Sequence, residues 1–342
     1  MLGHIGDVLV TTPVFAALKA AWPGLAITAV VNQGTQDMLT DNPDIARVLT
    51  VRRGRDGKLA MLKEQAILLG RLASGGFDLA LDLSGNDRGA FLSLVSRARF
   101  RQGFAPKKNK ARSRVFHQLV SKRGVSDHMV LVNLRHVEAL GLPAQDQALK
   151  FFPGPEAAQK AAELLARLNP ASKPLALVHP TSRWMFKSWT PEGNRQVIQA
   201  LLNKGFLVIT TCAPVREELD FLAEIHRSLP SNPGLRDLSG QVDLKLLGAL
   251  LQRADLFFGV DSAPMHMAAA LNAPTLVLFG PSGENMWGPW HTPNRVVASD
   301  DPCRPCGADG CPGSKESRCL LEMPPSRVLA ELDSLLNEKG PR

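Results

Sequence analysis

Nowhere in the 342 residues does an apolar run approach the roughly 18 that a membrane-spanning helix needs, so no transmembrane helix is expected. No basic segment opens the chain, and Asp7 stands where a signal peptide would be purely apolar, which points to a cytoplasmic protein. Neither G-x-G-x-x-G behind a strand nor G-x-x-x-x-G-K-[ST] occurs, so dinucleotide-binding and P-loop readings lose their main support. Tyrosine is absent altogether. Residues 97–123 lack any Asp, Glu, Tyr or Trp while holding ten Lys/Arg. Such a segment can serve as a solvated face or as a rim for anions. Without Tyr or Trp among its bases it offers little of the stacking platform of single-strand nucleic-acid binders, and no nucleic-acid-binding signature stands beside it, so nucleic acid is not an expected partner.

What is present is a net charge of +8 and a 44% hydrophobic fraction. The charge favours anionic partners, and the length exceeds what one core usually supports, about 250–300 residues. Apolar runs at 25–31, 46–51 and 77–83 read as strands, with helices over 58–73 (Leu62, Ala66, Leu69 and Leu72 on one face) and 128–140. After a linker-like stretch at 141–155 the pattern restarts. Strands are expected at 175–180, 205–212, within 253–261 and at 274–280, with helices at 191–204, 215–228 and 264–271. This alternation predicts an α/β chain of two doubly wound parallel-sheet domains with a cleft between them. The expected domains are 1–155 and 172–322, joined near 150–172, with a C-terminal helix over 323–342.

In open parallel sheets ligands bind at the carboxyl ends of strands. Four such ends in the second half carry polar or small residues: Thr181 to Trp189, Cys212 to Glu218, Asp261 to Leu271 and Pro281 to Trp290. In Asp261-Ser262-Ala263-Pro264-Met265-His266, Ser262 or Asp261 can cap a helix that Pro264 opens, leaving free N–H groups that favour phosphate. Lys187 supplies a point cation. A capped buried helix and an exposed loop lysine are the plainer accounts of the same residues. Near the N-terminus, "GHIGDVLVTTP" places Asp7 in a glycine-flanked turn, as a presented carboxylate or as a helix cap. Pro13 interrupts the following helix or marks its true start after Thr12. Cys303, Cys306, Cys311 and Cys319 form C-x2-C-x4-C-x7-C, a candidate structural zinc set, with free thiols or disulfides as the alternatives; Cys212 stands apart.

"HIGDVLVTTPVFAALKAAWPG", "HPTSRWMFKSWTPE" and "FFGVDSAPMHMAAALNAPTLVLFGPS", in this order, resemble the ADP-heptose:lipopolysaccharide heptosyltransferases of glycosyltransferase family 9, most nearly the heptosyltransferase III branch. The resemblance implies a GT-B fold of two Rossmann-like domains facing a central cleft. It implies an inverting transfer, with no cofactor and no required metal, from ADP-L-glycero-β-D-manno-heptose to the inner core of lipopolysaccharide at the cytoplasmic face of the inner membrane. By the same resemblance Asp7 takes the place of the general base. Thr181, Ser182 and Lys187 match the donor-phosphate stretch, and Glu217, with Glu218 beside it, the ribose position. Val242 falls where backbone meets adenine, and Asp261, Ser262, Ala263 and His266 match the loop cradling the donor. Gly6, Lys107, Lys108, Lys110 and Arg112 are the candidate acceptor contacts. The family carries an apolar strand before the G-D motif, where only Met1 and Leu2 stand, so the N-terminal sheet is expected to lack its first strand or the sequence to start late. A non-catalytic nucleotide or sugar-phosphate binder on the same fold is the alternative function.

Overall fold

The computed structural model describes residues 1–52, 58–106, 110–122, 127–312 and 314–338. The chain divides into two units, Met1–Phe152 and Pro153–Arg342. The second contains β6 (Leu175–His179), β7 (Leu207–Thr210), β8 (Leu235–Asp237), β9 (Leu256–Val260), β10 (Thr275–Phe279) and β11 (Asn294–Ala298). They form one sheet in the order β11-β10-β9-β6-β7-β8, with every pair parallel. Counted from β6, this is the doubly wound order 3-2-1-4-5-6, whose direction reverses between β6 and β9. Every residue of β6, β7, β9 and β10 is buried, because helices cover both faces, and this is why those strands read as unbroken apolar runs.

Two helices refine the sequence expectation. Pro155–Leu168 is helical where the joint between domains was expected; it buries Ala157 and Ala161 and packs on the helix Leu244–Leu251. The C-terminal helix Pro325–Glu338 buries Val328, Leu332 and Leu335, spaced i, i+4, i+7, in the core of the second unit. The fully buried Trp189 joins that core to the segment ahead of the C-terminal helix: its indole N–H donates to the Met323 carbonyl at 3.1 Å. Trp189 also packs on Gly193, where a Cβ would lie 2.3 Å from the ring.

The first unit carries β1 (Thr28–Asn32), β2 (Arg47–Val51), β3 (Leu79–Asp82), β4 (Phe100–Phe104) and β5 (Gln118–Val120). They pair in parallel as two sheets, β1-β2 and β3-β4-β5. Met1 and Leu2 run between β1 and β3. The Met1 amine donates to the Val30 carbonyl at 2.8 Å and the Leu2 N–H to Ser84 Oγ at 2.7 Å. Beside them lies a cavity of about 170 Å³ lined by side chains that include Phe15, Leu18, Ile27, Phe77 and Leu81. The topological place of these two residues, between the β1 and β3 ends of the two sheets, is the one β6 holds in the second unit. The helix Lys58–Ala73 buries Leu68 and Leu72, whereas Leu62 is 58% exposed, so the core-facing stripe is rotated from the face that the sequence indicated. The N-terminal helix, expected to be interrupted by Pro13 or to start after Thr12, is two helices, Ile5–Leu9 and Thr12–Ala21, with Pro13 in the first turn of the second.

The cavity holds two ionisable groups. Burial pushes the Met1 amine down to about 6 and holds the Asp82 carboxyl above the usual carboxylate range. A raised carboxyl favours its protonated form in the fold. That contribution is complete below about pH 4 and is lost as pH rises through the folded value. As the amine loses its charge near pH 6, the Asp82 carboxylate is left without a cationic partner among the described residues lining the cavity. Asp82→Asn should therefore raise the melting temperature at pH 7 by a few degrees, since about 1 kcal/mol corresponds to roughly 2–4 °C at this size. The gain should shrink towards pH 4 in thermal scans; an equal gain at both pH values would show that ionisation of Asp82 is not the cause.

Candidate functional site

The carboxyl ends of β6 and β9 meet at the switch point of the second sheet. Their close pairing requires Gly259, where a Cβ would lie 2.7 Å from the His179 carbonyl oxygen. Beyond β6 the chain turns through Thr181 and Ser182, both buried. Thr181 Oγ1 donates to Glu218 Oε2 at 2.6 Å, and the Ala213 N–H donates to the same oxygen at 3.1 Å. The loops after β6 and β7 are thus pinned together by one buried carboxylate. His179, bonded to Thr211 Oγ1 at 3.0 Å, is held neutral at physiological pH because burial lowers it to about 4. Ser182 Oγ accepts the Trp184 N–H at 3.2 Å and opens a single 3-10 turn, Met185–Lys187.

That turn aims Lys187 across the switch point. Its Nζ lies 2.6 Å from Asp261 Oδ2, with Asp261 itself buried at the end of β9. Ser262 then N-caps the helix Ala263–Ala270 through an extended backbone, without a capping bond from its side chain; its buried Oγ has no partner among the described residues. Pro264 sits in the first turn and His266 one turn in, buried, with its ring 6.3 Å from that of Trp287 in an edge-on arrangement. A lysine, a buried hydroxyl and a helix N-terminus at one switch point make a place suited to a phosphate-bearing ligand, with Asp261 as the counter-ion of Lys187 meanwhile.

Other residues singled out in the sequence fall as follows. Glu217 lies on the exposed outer face of the helix Arg216–Arg227, while Glu218 points inward; the inward carboxylate is the one that reaches Thr181. Val242 is half-buried in the turn ahead of Leu244–Leu251, beside Asp243, whose side chain caps that helix. Ala263 begins the helix after β9. Arg304, not singled out, pins the loop after β10 by donating to the Gly280 carbonyl at 2.7 Å and pairing with Glu284 at 3.0 Å.

In the first unit Asp7 is the third residue of Ile5–Leu9, and its Oδ2 accepts the His4 N–H at 2.7 Å in a capping box. The close neighbour of Gly3 is Asp7 itself, since a Cβ on Gly3 would lie 2.5 Å from Asp7 Cβ. Gly6 lies inside the helix. Lys107 and Lys108 lie outside the described residues, as does the Lys110 side chain. Arg112, expected on a solvated rim, has a largely buried side chain 3.5 Å from Asp87. Arg101 is likewise turned inward and donates to the Val115 and Ala98 carbonyls at 2.8 Å. Part of the basic segment thus holds the β4–β5 region together. Cys303 and Cys306 are exposed, Cys311 is half-buried and Cys319 buried, all as free thiols. Among the described residues no group of three or more His, Cys, Asp or Glu is placed to hold a metal ion.

Comparison with known proteins adds to this geometry. The sequence model described as glycosyltransferase family 9 (heptosyltransferase) matches residues 67–316. Lipopolysaccharide heptosyltransferase 3 of Escherichia coli K12 is 31% identical over 287 residues, 83% of this chain and 82% of that protein. A family 9 glycosyltransferase structure from Veillonella parvula superposes with a TM-score of 0.83 at 22% identity, covering 99% of this chain and 96% of the other. The E. coli heptosyltransferase WaaC with ADP superposes with a TM-score of 0.76 at 18% identity, covering 98% of each chain. These likenesses support two Rossmann-like parallel-sheet units of the GT-B type.

Because Glu218 satisfies both the Thr181 hydroxyl and the Ala213 N–H, Glu218→Ala should cost about 1–3 kcal/mol in urea unfolding. Glu218→Gln, which keeps an acceptor oxygen, should recover most of the loss.

Proposed function

The chain belongs to glycosyltransferase family 9, and on that premise we propose that it is an inverting heptosyltransferase of lipopolysaccharide core biosynthesis that uses ADP-L-glycero-β-D-manno-heptose and takes Asp7 as its general base. The observation that carries the donor assignment is the Lys187–Asp261 pair at the switch point, beside the N-terminus of Ala263–Ala270. The donor's diphosphate displaces Asp261 as the partner of Lys187. Thr181 and Ser182, together with Ser262, Ala263 and His266, line the remainder of the donor site, and Val242 meets the adenine. Of the pair Glu217 and Glu218, which stand at the ribose position, Glu218 is turned inward and held by Thr181, while Glu217 faces outward.

In the proposed reaction Asp7 accepts the proton of an acceptor hydroxyl, whose oxygen forms a bond to the anomeric carbon. The bond from that carbon to ADP breaks on the opposite face, and its electron pair leaves with the diphosphate. Lys187 and the helix N–H groups stabilise the charge gained by the leaving group. The acceptor is the inner core of lipopolysaccharide. The chain would meet it as a cytoplasmic protein at the inner-membrane face; no described helix is long and apolar enough to cross a membrane.

Mass spectrometry of truncated lipopolysaccharide incubated with the enzyme and ADP-heptose should show addition of one heptose; ADP binding without transfer would favour the non-catalytic alternative. Asp7→Asn should lower turnover by roughly 10²–10⁴-fold with ADP affinity near wild type. Near-normal turnover in the folded variant would leave Asp7 as only the cap of its helix. Lys187→Ala should slow transfer by about 10²-fold or more, as expected for loss of a cation that acts on the leaving group.

A further inference from the structure

The turn that carries Lys187 also carries an aromatic surface with no role in the reading above. Trp184 is 44% exposed. Its ring stacks with that of Phe186 at a centroid distance of 6.2 Å and an interplanar angle of 29°, and the Arg183 guanidinium lies 5.4 Å from the Trp184 ring centre. This is an ordered arrangement, because its backbone is fixed at both ends. The Trp184 N–H donates to Ser182 Oγ, and the Trp184 carbonyl accepts the Lys187 N–H at 2.8 Å. The same short turn therefore sets both the indole and the cation. A large aromatic left in water forgoes the stabilisation of burial, and a stacked pair held beside a candidate phosphate site points to a ligand that covers it.

We propose that Trp184 and Phe186 form a stacking platform for the sugar ring of the donor, so that this turn reads the sugar as well as the diphosphate. The inference rests on the donor assignment to Lys187. The chemistry is complementary. Aromatic faces carry partial negative charge, and a pyranose presents a face of C–H groups with partial positive charge, made more so as the anomeric carbon becomes oxocarbenium-like. The sugar is joined directly to the terminal phosphate that Lys187 holds, so it lies within reach of the residues next to that lysine. The nucleoside leaves the diphosphate from the other end, towards Glu218 and Val242.

Calorimetric titration of the full chain with ADP and, separately, with ADP-heptose tests this. Trp184→Ala should weaken ADP-heptose binding by about tenfold and leave ADP affinity within about twofold. Phe186→Ala should do the same more weakly, and Trp184→Phe should restore most of the loss. Equal losses for both ligands, or no loss for either, would overturn the platform while leaving the donor assignment in place. So would a variant that binds vesicles of anionic phospholipid less well but keeps the wild-type ratio of the two affinities, since that would make the surface a lipid contact. A wild-type chain that binds neither ligand would overturn the donor assignment and the platform with it.

Discussion

The close pairing of β6 with β9 is the constraint on which the second unit depends. A sheet whose central strands are buried on both faces can place polar chemistry only at its ends, and the end where the winding reverses is the one that two loops reach from opposite sides. Gly259 permits the approach, and Lys187 and Asp261 close it with an ion pair. In a partly buried setting such a pair keeps neither charge stranded, and it places a lysine where an incoming anion can exchange with a carboxylate.

The two units apply one winding rule with different fillings. In the second, β6 occupies the central place, and the loop behind it carries Thr181, Ser182 and Lys187. In the first, Met1 and Leu2 take the equivalent place, and the turn behind them carries Asp7. A helix-capping carboxylate in one unit and a lysine paired with Asp261 in the other thus follow the same topological position.

Much of this was legible in the sequence, for identifiable reasons. The buried strands of the second unit read correctly because strands covered on both faces are continuously apolar. Asp261 stands out because it follows such a strand directly, and Lys187 because it is a cation in the loop behind one. Glu218 was legible only through helix phase: Glu218, Leu222 and Ile225 are spaced i, i+4, i+7 and all buried, so the inward carboxylate follows from the apolar stripe of its own helix. β4 was hidden because Arg101 and the basic residues around that strand resemble a solvated rim, whereas Arg101 spends its donors on local carbonyls, and β5 was hidden by its length of three residues. β8 was hidden by its length of three residues. The helix Lys58–Ala73 was legible in extent but not in orientation, since Leu62 fits the period and still faces water.

The division of the first unit's sheet bears on how that unit opens. Ladder hydrogen bonds tie β1 to β2, and β3 to β4 and β5, whereas the segment Met1 to Gly3 bridges the two sets through the Met1 amine to Val30, the Asn32 side-chain amide to the Gly3 carbonyl, and the Leu2 N–H to Ser84. Cooperativity follows shared structure, so a sheet in two blocks can exchange its amide hydrogens in two steps, each with its own opening free energy, where the continuous sheet of β6 to β11 favours opening as one block. The turn bearing Asp7 hangs from the seam between those blocks. Its order is thereby set less by the strength of either block than by how tightly the seam is closed.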